Sequence, residues 1–120
     1  MESYQDLTVW QKAMKLAEDC YKLTASFPKS EMFAMTSQIR RSSAAIPANI
    51  AEGWGREGTR EYIQFLRIAQ GSLKELETHL ILCQRVGLTT GPKVAALLAV
   101  CTEVGKMTHS LIGSLQRKLK

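Results

Sequence analysis

Cysteine and proline are scarce in this chain, and strand-like alternation of apolar and polar residues is missing altogether. Cys20, Cys83 and Cys101 form an odd, widely spaced set, which spells neither a disulfide framework nor a zinc motif. Each falls on an apolar helical stripe, where a thiol behaves as a small hydrophobe, so buried reduced cysteines are expected. No apolar run approaches the ~20 residues that span a bilayer. The opening MESYQDLTVW lacks a basic-then-apolar leader pattern, so a cytoplasmic protein without membrane contact is expected. No low-complexity tract or internal repeat is present.

What is present is ordinary globular material. A 45% hydrophobic fraction with 22% charged residues argues against disorder. A chain of 120 residues fits one domain, residues 1–120, and buries about two-thirds of its unfolded surface. The net charge of +5 favours nucleic acid or acidic partners without demanding either.

Apolar residues recur at three- and four-residue steps in four segments, which predicts helices over about 7–25, 31–52, 60–86 and 92–118. The first stripe is Trp10, Ala13, Met14, Ala17, Cys20, Tyr21 and Thr24. Phe27-Pro28 ends that helix, since the residue before proline is pushed out of the helical region. Ser30 is read as the cap of the second helix, with the stripe Met32, Met35, Ile39, Ser43, Ile46 and Ile50 and a stop at Gly53. Pro47 inside it removes one backbone bond. The third stripe runs Tyr62, Phe65, Leu66, Ala69, Leu73, Leu76, Leu80 and Cys83, closed by Gly87. The fourth opens at Gly91-Pro92 and carries Val94, Leu97, Leu98, Cys101, Val104, Thr108, Ile112, Leu115 and Leu119. Short connections force sequential helices antiparallel, so the fold class is all-α, an up-and-down four-helix bundle.

The second helix has a second face. Opposite Ile39 lie Ala34, Ser37, Arg41, Ala44, Ala45, Ala48 and Ala51, where a solvated helix would carry Lys, Glu and Gln. Ile63 and Ile81 sit off the stripe of the third helix. Burial on two sides of a helix within a four-helix domain implies homo-oligomerisation through Ala34, Ser37, Arg41, Ala44, Ala45, Ala48, Ile63 and Ile81. Arg41 is expected to pair with Glu75 or Glu77, within or between chains.

Catalytic constellations fail one by one. Gly53-Trp54-Gly55-Arg56-Glu57-Gly58 spells G-x-G-x-x-G, but a helix precedes it and no sheet exists to form a dinucleotide site. The residues three before His79 and His109 are Leu76 and Lys106, so the Glu-x-x-His pairs of a di-iron bundle are lacking. Ser26-Phe27-Pro28-Lys29 matches S-x-x-K without its companion motifs. No enzyme activity, metal or cofactor is expected. Arg56 and Arg60 at the start of the third helix could hold a phosphate, with Trp54 beside them to stack on a base.

The order Leu7-x-x-Trp10-Gln11-Lys12-Ala13, Phe27-Pro28-x-x-Glu31, Gln38-Ile39-Arg40-Arg41, Asn49-Ile50-Ala51-Glu52-Gly53 and Gly71-Ser72-x-x-Glu75-Leu76-Glu77 resembles the four helix bundle proteins. Some of these are encoded in intervening sequences of 23S ribosomal RNA genes, and others are accessory proteins of diversity-generating retroelements. The resemblance implies a left-handed bundle assembling as a ring, typically a homopentamer, and a role in nucleic-acid contact. RNA or DNA would then meet a basic surface drawn from Lys12, Lys15, Lys22, Arg40, Arg56, Arg60 and Arg67. The alternative is a scaffold that docks a protein partner without nucleic acid.

Overall fold

The computed structural model describes residues 2–119. Four helices form, α1 (Thr8–Thr24), α2 (Met35–Trp54), α3 (Thr59–Arg85) and α4 (Gly91–Lys118), and no strand occurs among the described residues. They pack α1 on α2, α2 on α3, α3 on α4 and α4 on α1. Each seam runs antiparallel. Tyr4 and Trp54 meet at one end of the α1–α2 seam, and Thr24 and Arg40 meet at the other. The body measures 49 × 21 × 20 Å, the proportions of a bundle built from helices of this length.

Local chemistry sets the ends. Ser3 and Asp6 form a capping box around a short 3-10 turn, Tyr4–Asp6, that precedes α1. Thr90 holds the position before α4 without a side-chain cap bond, and Pro92 lies in the first turn, where the missing N–H costs nothing. Past α3 the backbone turns left-handed at Gly87 (φ 84°). The Leu88 amide then donates to the Cys83 carbonyl at 2.9 Å and the Gly87 amide to that of Gln84 at 3.0 Å. This is a Schellman closure, and only glycine adopts its pivot without strain.

Leu16, Ile39, Ile50, Leu66, Leu76, Leu80 and Val104 are among the fully buried side chains at the centre, each worth about 1.5–3 kcal/mol of transfer free energy. Polar groups inside are satisfied locally. The hydroxyls of Thr24, Ser42, Ser43 and Thr108 donate to carbonyls three or four residues earlier on their own helices, which removes most of the cost of burying them. Cys20, Cys83 and Cys101 are free and buried. Burial pushes the Cys20 and Cys101 thiols up to about 12.

The structure corrects the sequence reading in five places. On α1 the innermost stripe is Val9, Ala13, Leu16, Ala17, Cys20, Leu23 and Thr24, while Tyr21 is 46% exposed. Two apolar stripes share this helix, and the aliphatic one is enclosed because rings with polar tips favour the rim. The second helix begins at Met35 rather than near 31. Lys29–Glu31 winds instead as a 3-10 turn, Ala34 leaves helical geometry, and the Glu31 carboxylate, not Ser30, accepts from the Met35 amide at 3.2 Å. Met32 consequently lies outside the core, and Phe33 is 93% exposed. Ile63, expected on an outer face, is buried, since it stands three residues before Leu66 and continues the stripe. Leu119, placed on the inner stripe of α4, is 40% exposed just past the last helical residue.

Gly53 does not stop α2, which runs one residue further. Its role is closeness. A Cβ there would sit 2.9 Å from Phe65 Cβ, 3.0 Å from a Tyr62 ring carbon and 3.2 Å from the Tyr62 carbonyl oxygen, so the missing side chain lets α2 and α3 approach.

Candidate functional site

Two grooves flank the bundle on opposite sides, one apolar and one with two lysines and a glutamate in its lining. The apolar groove lies between α1 and α2. Trp10, Met14, Ala17, Glu18, Tyr21 and Lys22 form its α1 wall, and Ala44, Pro47, Ala48 and Ala51 form its α2 wall. Both walls follow from helical spacing of three and four residues. The small residues that marked α2 in the sequence make that wall shallow, and Pro47, already unable to donate to Ser43, adds an apolar ring. The volume is about 700 Å³.

Aromatic and cationic contacts fix the two ends of this groove. Tyr4 meets Trp10 edge to face at 5.3 Å and Trp54 at 6.3 Å. At the far end the Arg40 guanidinium lies 4.7 Å from the Tyr21 ring centroid, and its Nε donates to Thr24 Oγ1 at 2.9 Å. Ala34, Arg41, Ala44 and Ala48 are exposed, and Ser37 and Ala45 are half-buried. The second face of α2 is therefore uncovered within the chain. Ile81 is exposed as expected, whereas Ile63 drops out of the set because it is in the core.

The second groove lies between α3 and α4 and is lined by Gln70, Gly71, Leu73, Lys74, Glu77, Cys101, Thr102, Gly105, Lys106 and His109. Gly71 and Gly105 open it. No atom lies within 4 Å of where a Gly71 Cβ would stand, and Leu73 comes to 3.3 Å of a Gly105 Cβ. Arg60, Arg67 and Lys74 follow one another at seven-residue steps, so they share a face of α3. Lys74 reaches Glu77 at 3.0 Å, an exposed ammonium on a half-buried carboxylate.

The cations singled out in the sequence do not gather into one patch. Lys12 pairs with Glu103 at 2.5 Å, Lys15 with Asp19 at 2.6 Å and Arg56 with Glu52 at 2.7 Å. Arg56 also stacks on Phe65, 4.8 Å from its ring centroid, and the hydrogen bond that Lys15 donates to Asp19 Oδ1 holds the Lys15 ammonium above its ordinary pKa. Arg40 is tied to Thr24 and Tyr21 as described. Lys22, Arg60 and Arg67 have no ion-pair partner among the described residues. Lys74, Lys106 and His109 were not singled out in the sequence. The seven-residue run from Arg60 through Arg67 to Lys74 was the available signal for the first of them.

Arg41 is paired with neither Glu75 nor Glu77 within the chain; Lys74, one turn away, takes Glu77. Arg41 points away from the α2–α3 seam because it shares the alanine face, about 200° around the helix from buried Ile39. Among the described residues, no three His, Cys, Asp or Glu side chains converge as metal ligands would, and no helix is long and apolar enough to cross a membrane.

A family model described as 23S rRNA-intervening sequence protein matches residues 5–110. The fold is similar to a solved structure from Bacteroides thetaiotaomicron, described as a protein of unknown function from the S23 ribosomal protein family. That similarity has a TM-score of 0.79 and 29% sequence identity, over 88% of this chain and 98% of the other. No curated protein matches the chain.

Proposed function

The chain belongs to the family of 23S rRNA-intervening sequence proteins, and from that premise we propose a non-enzymatic, homo-oligomeric bundle that binds RNA or DNA through a basic surface of the assembly. The observation that carries this reading is the separation of two kinds of surface. The exposed apolar groove and alanine face lie on the α1–α2 side, and a groove lined by Lys74, Lys106 and Glu77, with Lys74 paired to Glu77, lies on the α3–α4 side. Apolar surface of that extent is suited to a protein interface, and cations beside an open groove are suited to phosphates. Assembly through the first groove leaves the second facing outward and repeats it once per subunit, as in the ring implied by the family resemblance. Arg60 and Arg67 extend the cationic face. Lys12, Lys15 and Arg56 contribute where phosphate displaces their carboxylate partners, which exposed pairs permit at low cost, and it must also displace Glu77 from Lys74; Arg40 is held by Thr24 and Tyr21 instead.

The test is a salt titration of binding to a fluorescent single-stranded RNA. Replacing Arg67, Lys74 and Lys106 by Glu removes three phosphate-neutralising charges. The slope of log affinity against log salt then falls by about 2, at roughly 0.7 per charge for a single strand. An unchanged slope with unchanged affinity contradicts the assignment. The apolar groove also favours a second reading, a scaffold that docks a helical protein partner without nucleic acid. In that case purified protein carries no RNA and its absorbance ratio at 260 and 280 nm is that of protein alone.

A further inference from the structure

The turn between α1 and α2 ends in a side chain with no home. Phe33 is 93% exposed and Met32 beside it 51% exposed, at the point where the 3-10 turn gives way to α2. An aromatic side chain carries roughly 150–250 Å² of surface, and nearly all of that of Phe33 is exposed next to half-exposed Met32, an apolar protrusion of two adjacent residues. The same chain displays an apolar groove, walled by Trp10, Met14 and Tyr21 on one side and Ala44, Pro47 and Ala48 on the other. Pocket and knob lie at separate places on the chain. Phe33 precedes α2, eleven residues before Ala44, the first groove residue on that helix, and its 93% exposure shows that it does not fill the groove of its own chain.

We propose that Phe33 of one copy inserts into the α1–α2 groove of a second copy, making this knob-and-groove contact the subunit interface. The inference rests on the homo-oligomer reading above and adds which surfaces meet. Charge complementarity selects a second copy as the occupant. The rim of the groove near Tyr21 carries Glu18 and Lys22, neither of which has an ion-pair partner among the described residues. The protruding turn carries Lys29 and Glu31, the opposite pair of charges, and Glu31 uses only one carboxylate oxygen on the Met35 amide. With the turn oriented so that Lys29 faces Glu18, Glu31 is brought to Lys22. The two surfaces differ, so the contact is knob to groove rather than like to like. A ring of such contacts closes when the rotation between subunits permits.

Two variants and their mixture test the proposal, read by light scattering of the eluting species. Phe33→Asp alters a side chain that is 93% exposed within the chain, and Ala48→Asp places a charge on the exposed wall of the groove. Each leaves the helical circular dichroism intact and yields monomer at concentrations where the wild-type chain is assembled. Mixed in equal amounts, the two recover a 1:1 heterodimer. The intact Phe33 of the Ala48→Asp chain still finds the intact groove of the Phe33→Asp chain, and each variant alone stays monomeric. A wild-type oligomer that persists in the Phe33→Asp variant overturns this contact while the oligomer reading survives. Two monomeric variants that fail to complement also overturn it. A monomeric wild-type chain removes both.

Discussion

Adding the same methyl group at two glycines should move stability in opposite directions. Gly53 and Gly71 both lie in helices, where alanine is favoured over glycine by up to about 1 kcal/mol. Gly71 realises that gain in full, because no atom stands within 4 Å of the new Cβ. Gly53 does not. Its Cβ would meet Phe65 Cβ at 2.9 Å and the Tyr62 carbonyl oxygen at 3.2 Å. These are atoms on or next to the backbone of α3 and cannot swing aside as a side-chain tip would. Overpacking of this kind costs about 1–3 kcal/mol, and the steric term exceeds the propensity gain near the helix end, for a net loss of about 1–2 kcal/mol. Urea unfolding at one fixed protomer concentration reads both effects, since assembly makes stability concentration-dependent. With m near 2 kcal/mol/M, Gly53→Ala lowers the midpoint by roughly 0.5–1 M and Gly71→Ala raises it by up to about 0.5 M, with m unchanged in each. A Gly53→Ala protein as stable as Gly71→Ala refutes the close approach of α2 and α3.

Further outcomes follow from the same packing. Ile63→Ala should cost about 2–5 kcal/mol as a core truncation, whereas Ile81→Ala, at a side chain 39% exposed, costs under about 1 kcal/mol; equal effects in denaturant melts would contradict the register of α3. Lys12→Ala, which breaks the exposed pair with Glu103, should cost less than about 1 kcal/mol, and less still in high salt. Cys20 and Cys101, ordinarily near 9 and held at about 12 by burial, should react with a thiol reagent at pH 8 only after unfolding. The folded chain keeps these protons between pH 9 and about 12 while the unfolded chain loses them, so stability present below pH 9 declines across that window. A Cys20→Ala, Cys101→Ala variant that shows the same alkaline decline would contradict that origin.

The helices were legible because their core stripes are long and regular. Leu66, Ala69, Leu73, Leu76, Leu80 and Cys83 on α3 are all buried as spaced, and Gly87 turns where a glycine after a helix is expected to turn. Periodicity could not choose between two stripes on α1, since Val9, Leu16 and Leu23 repeat with the same period as Trp10, Met14 and Tyr21. That ambiguity concealed the groove, because the stripe taken for core is in part its wall. The start of α2 was misplaced because a 3-10 turn and a helix begin with the same signals, and only the backbone at Ala34 separates them. The alanine face of α2 was visible from composition alone. Its partner wall was not, because two helices share it and no local sequence pattern crosses a seam. The cations failed to merge for a similar reason. Charge counts say nothing of pairing, and Lys12 finds Glu103 across the α1–α4 seam, 91 positions away in sequence.

The central claim is that the chain works as an assembly with its basic groove turned toward nucleic acid. Native mass spectrometry of the purified protein, with and without a short single-stranded RNA, tests both halves in one measurement. The account predicts a closed oligomer of one stoichiometry and an added mass of whole RNA strands that disappears as ammonium acetate is raised. A monomer at micromolar concentration, or an oligomer whose mass RNA leaves unchanged at low salt, contradicts it.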